Sequence, residues 1–333
     1  METMRALVFD RYGPPDVLRE AAVPKPEPAA REVRIRVHAT TVTAEDPRQR
    51  SFSWPWLMRP ALAVLMGWPR PRKRILGFEV AGVIDAVGAA VTRFAVGDAV
   101  FGYTGLRFGA CAEHCCVPQD GVLARKPDAL PFDEAAATPN GALTAYAYLT
   151  KLARLRVGER VLVVGASGSV GTAAVQLARH LGAHVTGVCS AKNAGLVRAL
   201  GADAVIDYRA EDFTARGERW DVVFDTVGAT ALGATRRVIA PGGRYLLTDF
   251  GPAAMLAMLW SRWLGDVRVL GAASNFLWTS EDLARVGALL ESGVLRTVID
   301  RRYPLEQAAE AHRYVETGRK VGNVVLTVQA PAR

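Results

Sequence analysis

The plainest chemistry in this chain lies in one short run, Gly165, Ala166, Ser167, Gly168, Ser169, Val170 and Gly171. Without a Cβ, Gly168 lets backbone N–H groups come close to a pyrophosphate, and Gly171 lets a following helix pack tightly on the preceding strand. A helix that starts here aims its partial positive charge at the phosphates. The common dinucleotide fingerprint has a glycine where this chain has Ala166, a small departure. The chemistry implied is the binding of a dinucleotide.

Such a turn works only between a strand and a helix. Arg160 to Val164 is an apolar, β-branched run suited to a strand buried on both faces, and Gly165 ends it. Val170, Ala173, Ala174, Leu177, Ala178 and Leu181 then recur at three- and four-residue steps, and Gly182 stands where a left-handed cap ends a helix. His184 to Val188 gives the second strand. At its end an Asp or Glu would hold the ribose 2′-hydroxyl of NAD. Cys189, Ser190, Ala191, Lys192 and Asn193 stand there instead. Ser190, Lys192 and Asn193 offer a hydroxyl, a cation and an amide to a 2′-phosphate, which favours NADPH; the bland alternative is a solvated loop with an incidental lysine.

The 333 residues, half of them apolar, with 31 glycines and 18 prolines, describe a globular chain long enough for two domains with their own cores. The net charge of +8 and pI near 9.6 invite a nucleic-acid reading, but the arginines are spread through every element, so no nucleic acid is expected. The N-terminal stretch has no long apolar core behind a basic segment, so secretion is not expected. Cys111, Cys115, Cys116 and Cys189 show no C-x-x-C spacing, and reduced thiols in a cytoplasm are the inference. His38, His114, His180, His184 and His312 have no ligand spacing either.

In chain order, residues 1–125 read as short strands with proline and glycine turns and no long helical period, a small β-barrel. Glu32 to Val42 alternates, with Val33, Ile35 and Val37 on one face. Residues 51–74 interrupt the strands with three tryptophans, an apolar run and a basic cluster. They fit a surface insertion whose apolar side packs on the barrel, or else a channel wall or a peripheral membrane contact, being too short to span a bilayer. From 126 to 272 strand and helix alternate as a doubly wound parallel sheet requires. Met255 to Leu264, with two tryptophans, reads as core or a subunit contact in preference to a cofactor box. Residues 273–333 continue neither the alternation nor the glycine pattern and are assigned to a return to the first domain.

Taken together the chain resembles a zinc-independent medium-chain dehydrogenase/reductase of the quinone oxidoreductase-like branch. The carriers are 77–82, 96–102, 109–113, 143–146, the phosphate turn, 200–208, 225–228 and 322–326, in order and over nearly the whole chain. The resemblance implies an α/β fold with a GroES-like barrel for substrate, a Rossmann domain for NADPH, a cleft between them and a homodimer. It further implies that Thr144 lies near the nicotinamide, Tyr208 against the adenine end, and Asn275 and Asn323 near the cleft, with Val227 among the cofactor contacts.

Zinc-dependent relatives place a histidine where this chain has Phe78 and a cysteine near Thr43, and carry a four-cysteine lobe that this chain lacks. No metal is therefore expected. Without a Lewis acid the acceptor must already be electrophilic, a quinone or an α,β-unsaturated carbonyl. Thr43 keeps a hydrogen-bonding group where many relatives carry asparagine. Some enoyl reductases of the branch have a tyrosine proton donor in the loop after the third barrel strand, and none stands between Thr43 and Arg74. That favours a quinone; Tyr103 is the nearest substitute, unless it is simply a barrel tyrosine. The alternative function is an NADPH-binding membrane-associated or regulatory protein of the same fold with weak turnover.

Overall fold

In the computed structural model, residues 2–54, 56, 59–228, 230–248, 251–261, 266–271 and 277–329 are described. The chain divides into two compact units.

The first unit comprises 1–140, 279–291 and 297–333. Its elements are β1 (Thr3–Val8), β2 (Arg19–Pro24), β3 (Glu32–Thr41), α1 (Glu45–Ser51), α2 (Arg59–Met66), β4 (Glu79–Val87), β5 (Ala99–Tyr103), β6 (His114–Pro118), β7 (Val122–Arg125) and α3 (Phe132–Ala136). One further helix, α4 (Pro139–Tyr146), straddles the division. β1 and β2 form an antiparallel hairpin. The larger sheet runs β3-β4-β5-β7, antiparallel throughout, with β6 also on β3. The alternation along β3 is realised: Val33, Ile35 and Val37 are all buried, in a core with Leu7, Phe9 and Val100. The barrel reading omitted two helices, α1 and α2, and α2 falls within the stretch taken as a strand-interrupting insertion. α1 carries no apolar run and α2 is only 8 residues long, so neither shows a period in sequence.

The second unit comprises 141–278 and 292–296. It contains β8 (Arg160–Val164), α5 (Ser169–His180), β9 (His184–Cys189), α6 (Ala194–Ala199), β10 (Ala204–Asp207), β11 (Trp220–Asp225), α7 (Leu232–Arg236), β12 (Ile239–Leu247), α8 (Pro252–Trp260) and β13 (Arg268–Gly271). The sheet order is β10-β9-β8-β11-β12-β13, parallel at every pair, so strand order reverses between β8 and β11. That switch point beside a glycine turn is where doubly wound sheets take dinucleotides. Leu162, Val188, Val223 and Leu246 are fully or almost fully buried, as strands covered on both faces must be.

Four elements return to the first unit: α9 (Ser280–Glu291), β14 (Ile299–Pro304), α10 (Ala308–Glu316) and β15 (Asn323–Thr327). β15 pairs antiparallel with β3 and parallel with β14, closing the sheet order β14-β15-β3.

The unit boundaries differ from the expected 125/126 and 272/273. The first moves to 140/141 because α3 packs on β3, β4 and β15. The second moves to 278/279: Leu277 accepts a hydrogen bond from Lys151 Nζ at 2.8 Å, within the Rossmann unit. The return is also split, since the Gln176 side chain brackets the Arg296 backbone with bonds of 2.9 and 3.1 Å and holds 292–296 in the second unit.

Candidate functional site

The cradle in the second unit is assembled by contacts that leave three glycines with different reasons to be glycine. Gly165 has φ +80°, a left-handed conformation, and a Cβ there would meet Val227 Cγ2 at 2.3 Å. A Cβ on Gly171 would meet the Gly165 carbonyl oxygen at 2.1 Å, which is the tight helix-on-strand packing expected of it. At Gly168 the nearest protein atom to a Cβ is the Gly165 carbonyl oxygen, at 3.4 Å, an ordinary contact. The protein's own packing therefore does not require a glycine at 168, and its absent Cβ leaves the backbone open to an external group. The first bond of α5 runs from the Thr172 N–H to the Gly168 carbonyl, 2.9 Å. The amides of Val170 and Gly171 lie ahead of it as orphan donors of a helix start. A dinucleotide fits this arrangement.

Around the cradle the structure distributes the expected residues. Val227, 54% exposed, projects over Gly165, with its N–H donated to buried Asp225 at 2.9 Å. Asn193 Nδ2 donates to Ser167 Oγ at 3.0 Å, tying the end of β9 to the glycine turn. Ser190 is buried, at the N-cap of the 3₁₀ turn Ala191–Asn193, and Lys192 is exposed beside it. Tyr208 is exposed, its N–H bound to the Cys189 carbonyl at 3.3 Å, and Arg209 lies 5.8 Å over its ring. Arg209 is a second cation that the sequence reading did not single out.

Thr144, 2% exposed, lies on α4 one turn after Gly141 and on the same face. Gly141 abuts the start of α5: a Cβ there would meet Ser169 Oγ at 2.5 Å. This close approach joins α4 to the cradle and was missed, since Gly141 belongs to no motif. Asn275 lies outside the described residues.

In the first unit the structure gives Thr43 a different task. Its N–H and its hydroxyl both donate to Asp46 Oδ2, at 2.8 and 2.7 Å, and its Oγ1 accepts the Glu45 N–H at 3.2 Å. A hydroxyl has one proton, and this one is committed to the start of α1. Tyr103 is buried, stacked on Phe78 with centroids 5.7 Å apart, its hydroxyl donating to Glu45 at 3.4 Å. Burial, with the nearby carboxylates, holds that hydroxyl protonated well above its ordinary range. Phe78 also meets Phe108 edge-on at 4.9 Å, so an aromatic cluster fills this position. Asn323 is almost fully buried, and its Nδ2 donates to the Val298 carbonyl at 3.1 Å.

Two carboxyls here escaped the sequence reading. Glu79 is fully buried, accepts the Thr41 hydroxyl and takes the Asn140 N–H at 2.7 Å. Asp46 is fully buried as well. Burial first pushes each up to about 7, and the mutual charge of the pair adds to the shift at Glu79. The expected consequence follows from the sign. An unfolded glutamate loses its proton near 4.5, while the folded Glu79 keeps it to about 7, so the folded chain holds more protons between those values and stability falls as pH rises through them. Glu79→Gln should flatten the decline in unfolding free energy, read by urea titration, from about pH 5 to about pH 7.5, by about 1–3 kcal/mol. An unchanged slope in that variant would place the origin elsewhere.

Among the described residues no group of three or more His, Cys, Asp or Glu side chains converges as a metal site.

Two family models match the chain: an alcohol dehydrogenase GroES-like domain over 29–128, and a zinc-binding dehydrogenase domain over 200–326. A quinone oxidoreductase of Pseudomonas aeruginosa is 34% identical over 340 residues, covering 97% of this chain and 99% of that one. An NADPH-dependent alkenal/one oxidoreductase of Arabidopsis thaliana is 30% identical over 335 residues, covering 97% and 79%. The solved structure of the quinone oxidoreductase from Coxiella burnetii superposes with a TM-score of 0.88 at 30% identity, covering 98% and 100%. With the glycine cradle at the switch point of its parallel sheet and relatives of this identity along its whole length, the chain belongs to the medium-chain dehydrogenase/reductase family, in the quinone oxidoreductase branch, and is an oxidoreductase of that type.

Proposed function

We propose that the protein uses NADPH to reduce a quinone or an α,β-unsaturated carbonyl, without zinc and as a homodimer. The observation that carries the cofactor choice is the end of β9, where Ser190, Lys192 and Asn193 stand in place of a carboxylate. A carboxylate there would repel a 2′-phosphate; Lys192 and Arg209 are exposed cations on the turns after β9 and β10 that would attract it.

The bound cofactor supplies the hydride. The chain's own part is to hold and orient: the amides at the start of α5 would take the pyrophosphate, Val227 would cover the turn, and Tyr208 would face the adenine end. Thr144, with Gly141 fixing its helix to the cradle, would orient the nicotinamide ring. In the barrel unit, Phe78 offers no ligand atom and Thr43 has spent its proton on Asp46, which supports an acceptor that needs no Lewis acid. A quinone fits best, because its reduced form takes protons from water, and Tyr103, held protonated by burial, is a poor acid.

The test is a fluorescence titration. NADPH should bind at least tenfold more tightly than NADH, about 1.4 kcal/mol, and Lys192→Ala should narrow that gap. NADPH consumption across quinones and enones then reads the acceptor class. Equal affinities for the two cofactors would overturn the assignment, and turnover that disappears on chelation would overturn zinc independence.

A further inference from the structure

We propose that α2 and the turn after it form a docking surface for an anionic lipid bilayer, which goes beyond the reading above and does not depend on it. The helix is turned the wrong way out for a soluble protein. Ala61, Val64 and Leu65 share one face by their i, i+3, i+4 spacing and are exposed, Val64 at 70% and Leu65 at 53%, while Met66 alone is buried. Trp56 and Trp68, at 74% and 63% exposed, flank the helix. An outward apolar face with tryptophans at its ends suits the headgroup boundary of a membrane.

The charge around that face selects the partner. From Pro47 to Phe78 there is no Asp or Glu. Arg59, Arg70, Arg72, Lys73 and Arg74 are all exposed. Arg74 pairs with Asp10, but among the described residues no carboxylate pairs with Arg70, Arg72 or Lys73. Aliphatic contact ringed by unpaired cations is complementary to anionic headgroups over acyl chains. The surface is also firmly mounted. Tyr12 stacks on Trp68 with centroids 5.9 Å apart, Phe52 lies 5.1 Å from the same ring, and the Tyr12 hydroxyl donates to the Gly67 carbonyl at 2.8 Å. The patch therefore does not fold back to hide its apolar side. Among the described residues no helix is long and apolar enough to cross a membrane, so the contact lies on the surface.

The experiment is co-sedimentation of the full chain with vesicles of phosphatidylcholine alone and with about one third phosphatidylglycerol. Binding to the anionic vesicles should be at least about tenfold stronger, since each basic residue near such a surface contributes a factor of roughly five, and it should weaken from about 0.05 M to about 0.5 M salt. Arg70→Gln with Arg72→Gln and Lys73→Gln should remove the preference for anionic lipid. Val64→Ser with Leu65→Ser should weaken what remains, with the thermal unfolding midpoint unchanged in both. In the unaltered protein, brominated lipid should quench tryptophan fluorescence, a readout that needs no variant. Equal binding to both vesicles, or no quenching, overturns the proposal. So does sedimentation velocity in which the aliphatic variant turns a dimer into a monomer, which would assign the face to a second copy. Retention on a single-stranded oligonucleotide without vesicle binding would assign it to nucleic acid.

Discussion

Gly168→Val should lose at least about a hundredfold in NADPH affinity, roughly 2.7 kcal/mol, while the melting temperature of the ligand-free protein stays where it was. The separation follows from what each glycine touches. A Cβ at 168 finds only one protein atom, at 3.4 Å, so the apo fold tolerates it, yet the added valine occupies the space through which a phosphate would reach the amides of α5. Gly171→Val is the contrasting case. Its Cβ would sit 2.1 Å from a backbone oxygen and 2.8 Å from Ala166 Cα, neither of which is a flexible side-chain end. The helix must shift, and the variant should lose about 2–4 kcal/mol of stability as well as its cofactor. Thermal unfolding without ligand, beside a fluorescence titration of each variant, reads both. Wild-type binding by Gly168→Val would refute the cradle.

Arg50→Ala should cost about 3–5 kcal/mol in urea unfolding, more than any other single truncation in the barrel unit's polar interior. The guanidinium is 1% exposed. It donates to the Gly13 carbonyl at 3.1 Å, to His312 Nδ1 at 3.1 Å and to Glu316 at 2.5 Å. Arginine only donates, so His312 Nδ1 is the acceptor and the ring's proton is on Nε2. Burial, then the Arg50 charge, drives His312 down to about 3. The unfolded histidine takes a proton near 6.5 that the folded one refuses, so this contribution to stability is whole above that value and is lost as pH falls towards 3. Arg50→Ala combined with His312→Leu should be less destabilised than the sum of the two, because the second change removes an acceptor left unmet by the first. A loss below about 1 kcal/mol for Arg50→Ala would show that water replaces the guanidinium.

The alternation of Val33, Ile35 and Val37, the stripe along α5 and the glycines at 165, 171 and 182 were all legible in the sequence. Each rests on neighbours close along the chain: period two, period 3.6, a φ that only glycine adopts cheaply, or, at Gly171, the tight return of the helix onto the turn before it. Gly165 and Gly182 do have φ of +80° and +81°. The cradle and its missing carboxylate were therefore available from spacing, and the family from the resemblance that the ordered motifs carry. The site around the cradle was not. That Gly141 abuts Ser169, that Asn193 bonds Ser167 and that Val227 covers Gly165 are contacts across separate elements, and no periodicity encodes them.

The same division explains what was misassigned. Thr43 reads as a hydrogen-bonding group facing substrate until α1 forms and Asp46 claims its proton; Glu79 and Asp46 drew no reading from sequence, and only burial carries both to about 7. Residues 126–140 read as the start of the nucleotide domain because they turn helical there, whereas packing of α3 on β3 and β4 assigns them to the barrel. The sequence by itself determined the strand–turn–helix chemistry, because that depends on neighbours along the chain. Only the tertiary structure decided which polar groups are spent, which are buried and which face outward, because those depend on what the fold brings beside them.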